Sequence, residues 1–333
     1  MKPFAYVRAS SIQEATRNAA AGGTRYIAGG TNLLDLMKLE IETPDVLIDI
    51  SRLGLDQVET TVDGGLRIGA LVSNADLAAD PRTRRDYPML VRALLAGASA
   101  QLRNKATTAG NLLQRTRCGY FYEPSSRCNK RLPDSGCDAL EGLNRSHAIL
   151  GGSAQCIAVH PSDMAVALIA LDAAVEVLNA HGQTRTLALG DLYRLPGDTP
   201  ARETNLEPGE LIAAVYLPAP AAGRQEFRKI RDRASFAFAL VSMGVTLGIE
   251  NDVIEHVRMA FGGIAPMPWR DPAVEALIEG QRPSMELFQH AATVLLQAAE
   301  GHGDNAFKIE LTRRLMVYVL LRATTASGEE RAA

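Results

Sequence analysis

The sequence predicts an α+β protein: an α/β amino-terminal region followed by an α+β carboxyl-terminal domain. Three observations carry that reading. The amino-terminal stretch alternates strand and helix signals, with a glycine turn at a strand's carboxyl end. A long polar stretch in the middle holds every cysteine. The last third runs from a hairpin of long strands into three helical segments.

Taken in order, FAYVRA reads as a strand, and Ser10 or Ser11 caps the helix IQEATRNAAA, which Gly22 and Gly23 stop. TRYIAGG is a second strand ending in the glycine turn. Thr31 caps NLLDLMKLE, and DVLIDIS is a third strand, which completes a βαβαβ unit. GLRIGA is a half-buried strand, Ser73 caps SNADLAAD, and MLVRALLAGASA has helical periodicity. From Arg103 to Cys156 periodicity is weak and turn residues are many; so long an irregular stretch in a compact enzyme points to function. PSDMAVALIALDA is a helix capped by Ser162 or Asp163, followed by the hairpin AAVEVLNAHGQTRTLAL turning at HGQT. LPAPAAG reads as a linker. Beyond it lie a long hairpin turning at Glu250, Asn251 and Asp252, and the helices DPAVEALIEG, SMELFQHAATVLLQAAE and FKIELTRRLMVYVLLRATT; the terminal TASGEERAA is expected to be disordered.

A chain of 333 residues suits two or three subdomains, and 47% hydrophobic with 22% charged residues describes an ordinary globular protein. The net charge of -3 gives no reason to expect nucleic acid, and no apolar run is long enough for membrane insertion. The start MKPFAYVRAS lacks the pattern of a secretory signal. The expectation is therefore a cytoplasmic chain, or a periplasmic one if a signal-bearing partner exports it. In a reducing compartment, thiols bind metal or react more often than they form disulfides. There is no G-x-S-x-G elbow for a hydrolase. His160, before Pro161, reads as structural, and Trp269 in PMPWR as a packing anchor.

IAGGTNLLDL is neither a P-loop nor a dinucleotide G-x-G-x-x-G. It still suits an anion, because Gly29 and Gly30 let backbone N–H groups approach closely and a helix start follows. LRNKATTAGNLL repeats the logic with Thr107, Thr108, Gly110 and Asn111. Together with an aspartate in PSDM and a lysine in FRKIRDR, the two loops suggest a long phosphorylated cofactor held at several points.

In order over nearly the whole chain, AGGTNLLDLM, RNKATTAGNL, HPSDMAVAL and FRKIRDRASFAFALVSMG resemble the FAD-binding subunit of the molybdenum hydroxylases. That family includes xanthine dehydrogenases, aldehyde oxidoreductases and the medium subunit of carbon monoxide dehydrogenases. The resemblance implies a two-subdomain FAD-binding domain of the vanillyl-alcohol-oxidase/PCMH type over 1–220, with a small βαβ subdomain at 1–56 and a cysteine-bearing insert at 112–158. A smaller carbon-monoxide-dehydrogenase-flavoprotein-like α+β domain would follow over 221–328. It further implies that the amides of Ala28, Gly29, Gly30, Thr31 and Asn32 grip the FAD pyrophosphate, flanked by Tyr26, Ile27 and Leu33. Thr108, Gly110 and Asn111 would close over the phosphates and ribityl chain, Asp163 would accept from FAD hydroxyls, and Lys229 would lie near the flavin. Set apart from the resemblance, Asp163 is a helix N-cap, Lys229 a solvated strand charge, and Arg103 a partner for either a phosphate or a surface carboxylate.

The thiols Cys118, Cys128, Cys137 and Cys156 are spaced C-x9-C-x8-C-x18-C, unlike compact zinc-ribbon or ferredoxin patterns. Four thiolates are a full ligand set for a cubane cluster or for zinc, and His147 or His160 could replace one. QRTRC, RCNK (where PCNK is the pattern), SGC and a fourth cysteine before HPSDMAVAL resemble the flavin subunit of bacterial periplasmic aldehyde oxidoreductases. That resemblance implies all four as ligands of a [4Fe-4S] cluster, with Arg115, Arg117, Arg127, Lys130 and Arg131 offsetting thiolate charge. The implied role is electron transfer in a heterotrimer. A large molybdenum-cofactor subunit would oxidise an aldehyde. A small subunit with two [2Fe-2S] clusters would pass electrons through FAD to an external acceptor. A flavin subunit of a xanthine dehydrogenase or another molybdenum hydroxylase, a free-standing FAD oxidase, and a non-catalytic assembly subunit are the rival readings.

Overall fold

The structure, a computed structural model, describes residues 1–325; the tail from Ala326 on lies outside the described residues. Strands β1 (Ala5–Arg8), β2 (Thr24–Ile27) and β3 (Val46–Asp49) form a parallel sheet in the order β1-β3-β2. The connecting helices are Ile12–Ala19 and Leu33–Lys38. Ser11 caps the first by accepting the Glu14 amide at 3.1 Å, and Glu14 reaches back to the Ser10 amide at 2.8 Å.

A second sheet is antiparallel throughout: β4 (Val58–Thr60), β5 (Leu66–Gly69), β6 (Ala174–Leu178), β7 (Thr184–Ala188) and β8 (Leu211–Leu217), ordered β4-β5-β8-β6-β7. The third sheet contains β9 (Arg224–Ile230), β10 (Val241–Glu250) and β11 (Val253–Gly262), ordered β11-β10-β9. Its long hairpin turns through Asn251 and Asp252 at φ 50 and 62, the left-handed pair that matches strand twist. Helices Pro272–Ile278, Met285–Leu295 and Phe307–Thr324 cover this sheet, burying Val245, Val257, Phe288 and Val319 among others.

Every residue of helix Asp163–Ala170 is buried, because the helix packs on helix Pro88–Ala96 and on the third sheet at once. A helix apolar all round belongs in such a position. Its cap is Ser162, which accepts the Ala165 amide at 2.9 Å and leaves the Asp163 carboxylate free for other work.

One predicted helix divides. MLVRALLAGASA breaks at Gly97, Ala98 turns at φ 52, and Ser99 caps a new turn, Ala100–Arg103. The break frees backbone carbonyls: Ala96 accepts Lys229 Nζ at 3.2 Å and an Arg231 guanidinium N–H at 3.0 Å, and Gly97 accepts Arg103 at 2.7 Å. Between Leu112 and Ala158 the chain is irregular but closely packed, with one helical turn at Gly119–Tyr122 and an antiparallel bridge between Cys128 and Cys137.

Candidate functional site

β2 delivers the run Tyr26–Leu33 to the wall of a cavity of about 270 Å³, which Leu211 and Ile212 also line. The amides of Ala28, Gly29, Gly30, Thr31, Asn32 and Leu33 donate no hydrogen bond among the described residues, whereas those of Leu34 and Leu36 close onto Gly30 and Asn32. A row of backbone N–H groups left over at a tight turn is an anion-binding concavity. Gly30 makes the turn at φ 69. Gly29 is bare for a reason the sequence did not suggest: a Cβ there would lie 1.8 Å from the Lys105 carbonyl oxygen. The two glycine loops therefore pack backbone against backbone. Tyr26 donates its hydroxyl to the Gly209 carbonyl at 2.8 Å and ties the small sheet to the second one.

The second loop differs from expectation. Its amides are spent internally: Thr108 on Val72, Ala109 on Ala70, Gly110 on Thr107 Oγ1 and Asn111 on the Thr107 carbonyl. Thr108 points into the core, fully buried, with its hydroxyl on the Val72 carbonyl at 3.0 Å, so it is Thr107 that borders the cavity. Asn111 accepts Ser162 Oγ at 2.6 Å and Gln114 Nε2 at 3.0 Å. What this loop offers the cavity is a bare Gly110 surface and side-chain amides rather than backbone donors.

An adjoining cavity of about 230 Å³ contains Gly110, Asn111, Asp163 and Lys229. Thr31, Asn32, Gly110 and Gln114 wall both cavities, so the two are reaches of one trough. Asp163 and Lys229 form an ion pair at 2.7 Å with side chains 8% and 4% exposed. Neither is a solvated charge. Burial raises the Asp163 pKa against the opposing pull of Lys229. Arg103 and the half-buried Arg117 also line this reach, and neither has a carboxylate within 4.0 Å among the described residues.

The four thiols gather in one cluster with Phe121, Ile157 and Leu36. Cys118, Cys128 and Cys156 are buried and Cys137 is partly so. Burial pushes the Cys118 thiol up to about 12 and raises Cys156, so a metal binding there must displace protons. Among the described residues no three His, Cys, Asp or Glu groups converge on a single-ion site. A zinc ion needs sulfurs about 2.3 Å from one centre, whereas a cubane takes one thiolate at each of four irons and so accepts a wider ring. Three of the surrounding cations are shared with carboxylates, yet the charge of Lys130 still draws the Cys156 pKa downward against its burial. Arg115 pairs with Glu42 and Glu203, Lys130 with Glu203 at 2.8 Å and Arg127 with Asp138 at 2.7 Å. Arg131 donates to the Tyr120 and Phe121 carbonyls, each at 2.8 Å. A third, smaller cavity runs from Cys118 and His147 to Asp163 and Phe238, past Arg117.

Comparison with known proteins gives these features a family. Residues 2–220 match a model described as the FAD binding domain in molybdopterin dehydrogenase, and residues 225–323 one described as the CO dehydrogenase flavoprotein C-terminal domain. The chain belongs to the FAD-binding subunits of the molybdenum hydroxylases. It is 55% identical to the aldehyde oxidoreductase FAD-binding subunit PaoB of Escherichia coli K12, over 97% of this chain and 99% of that one. It is 27% identical to the glyceraldehyde dehydrogenase medium chain of Sulfolobus acidocaldarius, over 87% and 86%. A carbon monoxide dehydrogenase from Hydrogenophaga pseudoflava shares the fold, with a TM-score of 0.75 at 24% identity over 97% of this chain and 98% of the other.

For a flavin subunit, the trough contains residues that sequence reasoning passed over. Gln114 joins its two reaches, and Phe236 and Phe238 enter from the loop between β9 and β10, Phe238 stacking under Arg117 at 5.1 Å. The motif FRKIRDRASFAFALVSMG contains both aromatics, but only the fold brings them over the cavity. The FAD of this family fits what is here: unspent amides for a pyrophosphate, and beyond them a partly apolar reach that includes Leu94, Leu102 and Met164. Among the described residues no helix is long and apolar enough to cross a membrane.

Proposed function

We propose that this flavin subunit carries electrons inside a molybdenum-dependent aldehyde oxidoreductase, receiving them from a small iron–sulfur partner while a large partner holds the molybdenum cofactor and the aldehyde. The likeness to PaoB, named as an aldehyde oxidoreductase subunit, supports the substrate class. FAD, when bound, accepts electrons singly and hands them on singly or in pairs, and a [4Fe-4S] cluster relays single electrons.

The chain's own residues bind, orient and tune. The amides from Ala28 to Leu33 donate to the pyrophosphate. Gly110 and Asn111 border the ribityl chain, and Tyr26, Ile27 and Leu33 shape the walls. Asp163 and Lys229 enter as a neutralised pair. Asp163 would be the acceptor for an FAD hydroxyl, and Lys229 would supply positive charge on the same side of the trough. Cys118, Cys128, Cys137 and Cys156 ligate the cluster. Thr108 acts from behind, by fixing the second loop. Location follows the holoenzyme: the cytoplasm, or the periplasm when a signal-bearing partner carries the complex across.

The row of six amides without acceptors is the observation that carries this reading. The test is flavin, iron and acid-labile sulfide content of the purified complex, with EPR of its reduced state. One FAD and four iron with four sulfide beyond the small subunit's clusters are expected. Zinc without the extra sulfide would overturn the cluster and leave the flavin. Aldehyde turnover by the isolated chain would overturn the division of labour.

A further inference from the structure

His147 is 3% exposed, and its Nε2 lies 3.1 Å from Cys118 Sγ. Its ring sits 6.4 Å from that of Tyr120, within the packed insert. The backbone that carries it is held from the carboxyl-terminal domain. Lys308 Nζ donates to the Ser146 carbonyl at 3.2 Å, to that of His147 at 2.8 Å and also to that of Gly263. Asn305 Nδ2 donates to the Ala148 carbonyl at 2.9 Å. Within the insert, the His147 amide reaches Asn144 and the Ala148 amide reaches Ile157, each at 2.8 Å.

Lys308 is completely buried at the start of helix Phe307–Thr324, with no carboxylate within 4.0 Å among the described residues. A buried ammonium is costly unless its donors are used. Here three carbonyls take them, and two of those belong to the tripeptide carrying the imidazole. The arrangement commits a buried lysine to fixing one short segment beside one cysteine.

We propose that His147 is a positioning residue of the cysteine site: its Nε2–H donates to Cys118 Sγ, and Lys308 with Asn305 fixes the imidazole there, so that the carboxyl-terminal domain sets the reduction potential of a cluster ligated at Cys118. This inference rests on the cluster reading given above. A donor to a ligating sulfur stabilises the more negative, reduced state more than the oxidised one, and therefore raises the potential.

The experiment is an EPR-monitored redox titration of the purified complex and three variants. His147→Phe keeps an aromatic ring and removes the donor; His147→Gln keeps an N–H near the place of Nε2; Lys308→Met releases the backbone. His147→Phe should shift the cluster's reduction equilibrium toward the oxidised form about tenfold, or 59 mV for a one-electron couple. His147→Gln should restore most of the shift, and Lys308→Met should move the potential in the same direction as His147→Phe. In the unaltered complex labelled with 15N-histidine, pulsed EPR of the reduced cluster should show one weakly coupled imidazole nitrogen, a readout that needs no variant to fold. A parent complex without the extra iron and labile sulfide overturns the cluster and this inference with it. A parent cluster whose potential is the same in His147→Phe overturns the inference alone. So does the absence of the nitrogen coupling, and so does a coupling strong enough for direct iron ligation.

Discussion

Replacing Gly29 by alanine tests the contact between the two glycine loops. The added Cβ would sit 1.8 Å from the Lys105 carbonyl oxygen, whereas a carbon–oxygen contact needs about 3.3 Å. The loops must therefore part by about 1.5 Å. The obstacle is backbone and cannot swing aside: Lys105 and Ala106 are tied to Leu102 at 3.0 and 2.8 Å, and the Ala106 carbonyl accepts the Asn74 amide at 2.8 Å. Overpacking of this kind costs about 1–3 kcal/mol, and a rigid obstacle puts it at the upper end. Two glycines serve as controls. At Gly30 a Cβ meets side chains alone, Leu34 Cδ1 at 2.9 Å and Cγ at 3.2 Å and Ile27 Cδ1 at 3.6 Å, so the cost is mainly that of its left-handed φ, about 1–2 kcal/mol. At Gly110 it meets the Thr107 hydroxyl at 2.9 Å and threatens one cap, about 1 kcal/mol. Urea denaturation should rank Gly29→Ala as the least stable. Its FAD affinity should fall at least tenfold, about 1.4 kcal/mol, because the unspent amides move with the loop. A Gly29→Ala protein with full flavin content and the parental urea midpoint would refute the reasoning.

Four further outcomes are expected. Lys229→Met and Asp163→Asn should each cost about 3–5 kcal/mol by stranding a buried partner, and the double variant should cost less than their sum in thermal melts. Thr108→Val should lose about 1–2 kcal/mol of stability yet keep its flavin, since the hydroxyl serves Val72 and not the trough. Cys→Ser at 118, 128, 137 or 156 should abolish the labile sulfide assigned to this subunit while leaving FAD absorbance intact. His160, held by burial at about 4 against an ordinary 6.5, stays neutral in the fold while the unfolded chain takes up a proton. Its contribution is present above pH 6.5 and is lost as pH falls toward 4, on the order of 3 kcal/mol in all, so His160→Gln should flatten that acid limb of stability.

Where local chemistry decides, the sequence was readable. The small sheet announced itself through alternation, the Ser11 cap and a glycine turn, and the β10–β11 hairpin through its Asn251–Asp252 turn. Thr31, however, does not cap the second helix, whose N-cap position is Asn32 with no capping bond from its side chain. β8 was missed because it lies between β5 and β6, buried on both faces, so LIAAVYL shows no alternation. In β9 a polar-looking strand conceals Lys229, whose partner lies on a helix 66 positions earlier in the chain. The glycine loops were visible as residue types, but not the division of labour between them: the amides of one stay unspent while those of the other are consumed by Thr107, Val72 and Ala70. The thiols were legible as a set. The fate of their neighbouring cations was not, because Glu42 and Glu203 reach them from distant segments. Lys308 reads as one more surface lysine on an amphipathic helix until the fold closes over it.

The residues packed around the four thiols lie between Leu36 and Ala158, yet the segment beside Cys118 is also held from near the far end of the polypeptide. Asn32 accepts the Arg115 amide, and Lys308 grips the Ser146 and His147 carbonyls. A ribosome must therefore finish and release nearly the entire chain before the His147 segment can be held against Cys118 from that helix. The packing beside Cys118 is thus complete only when the final helix docks.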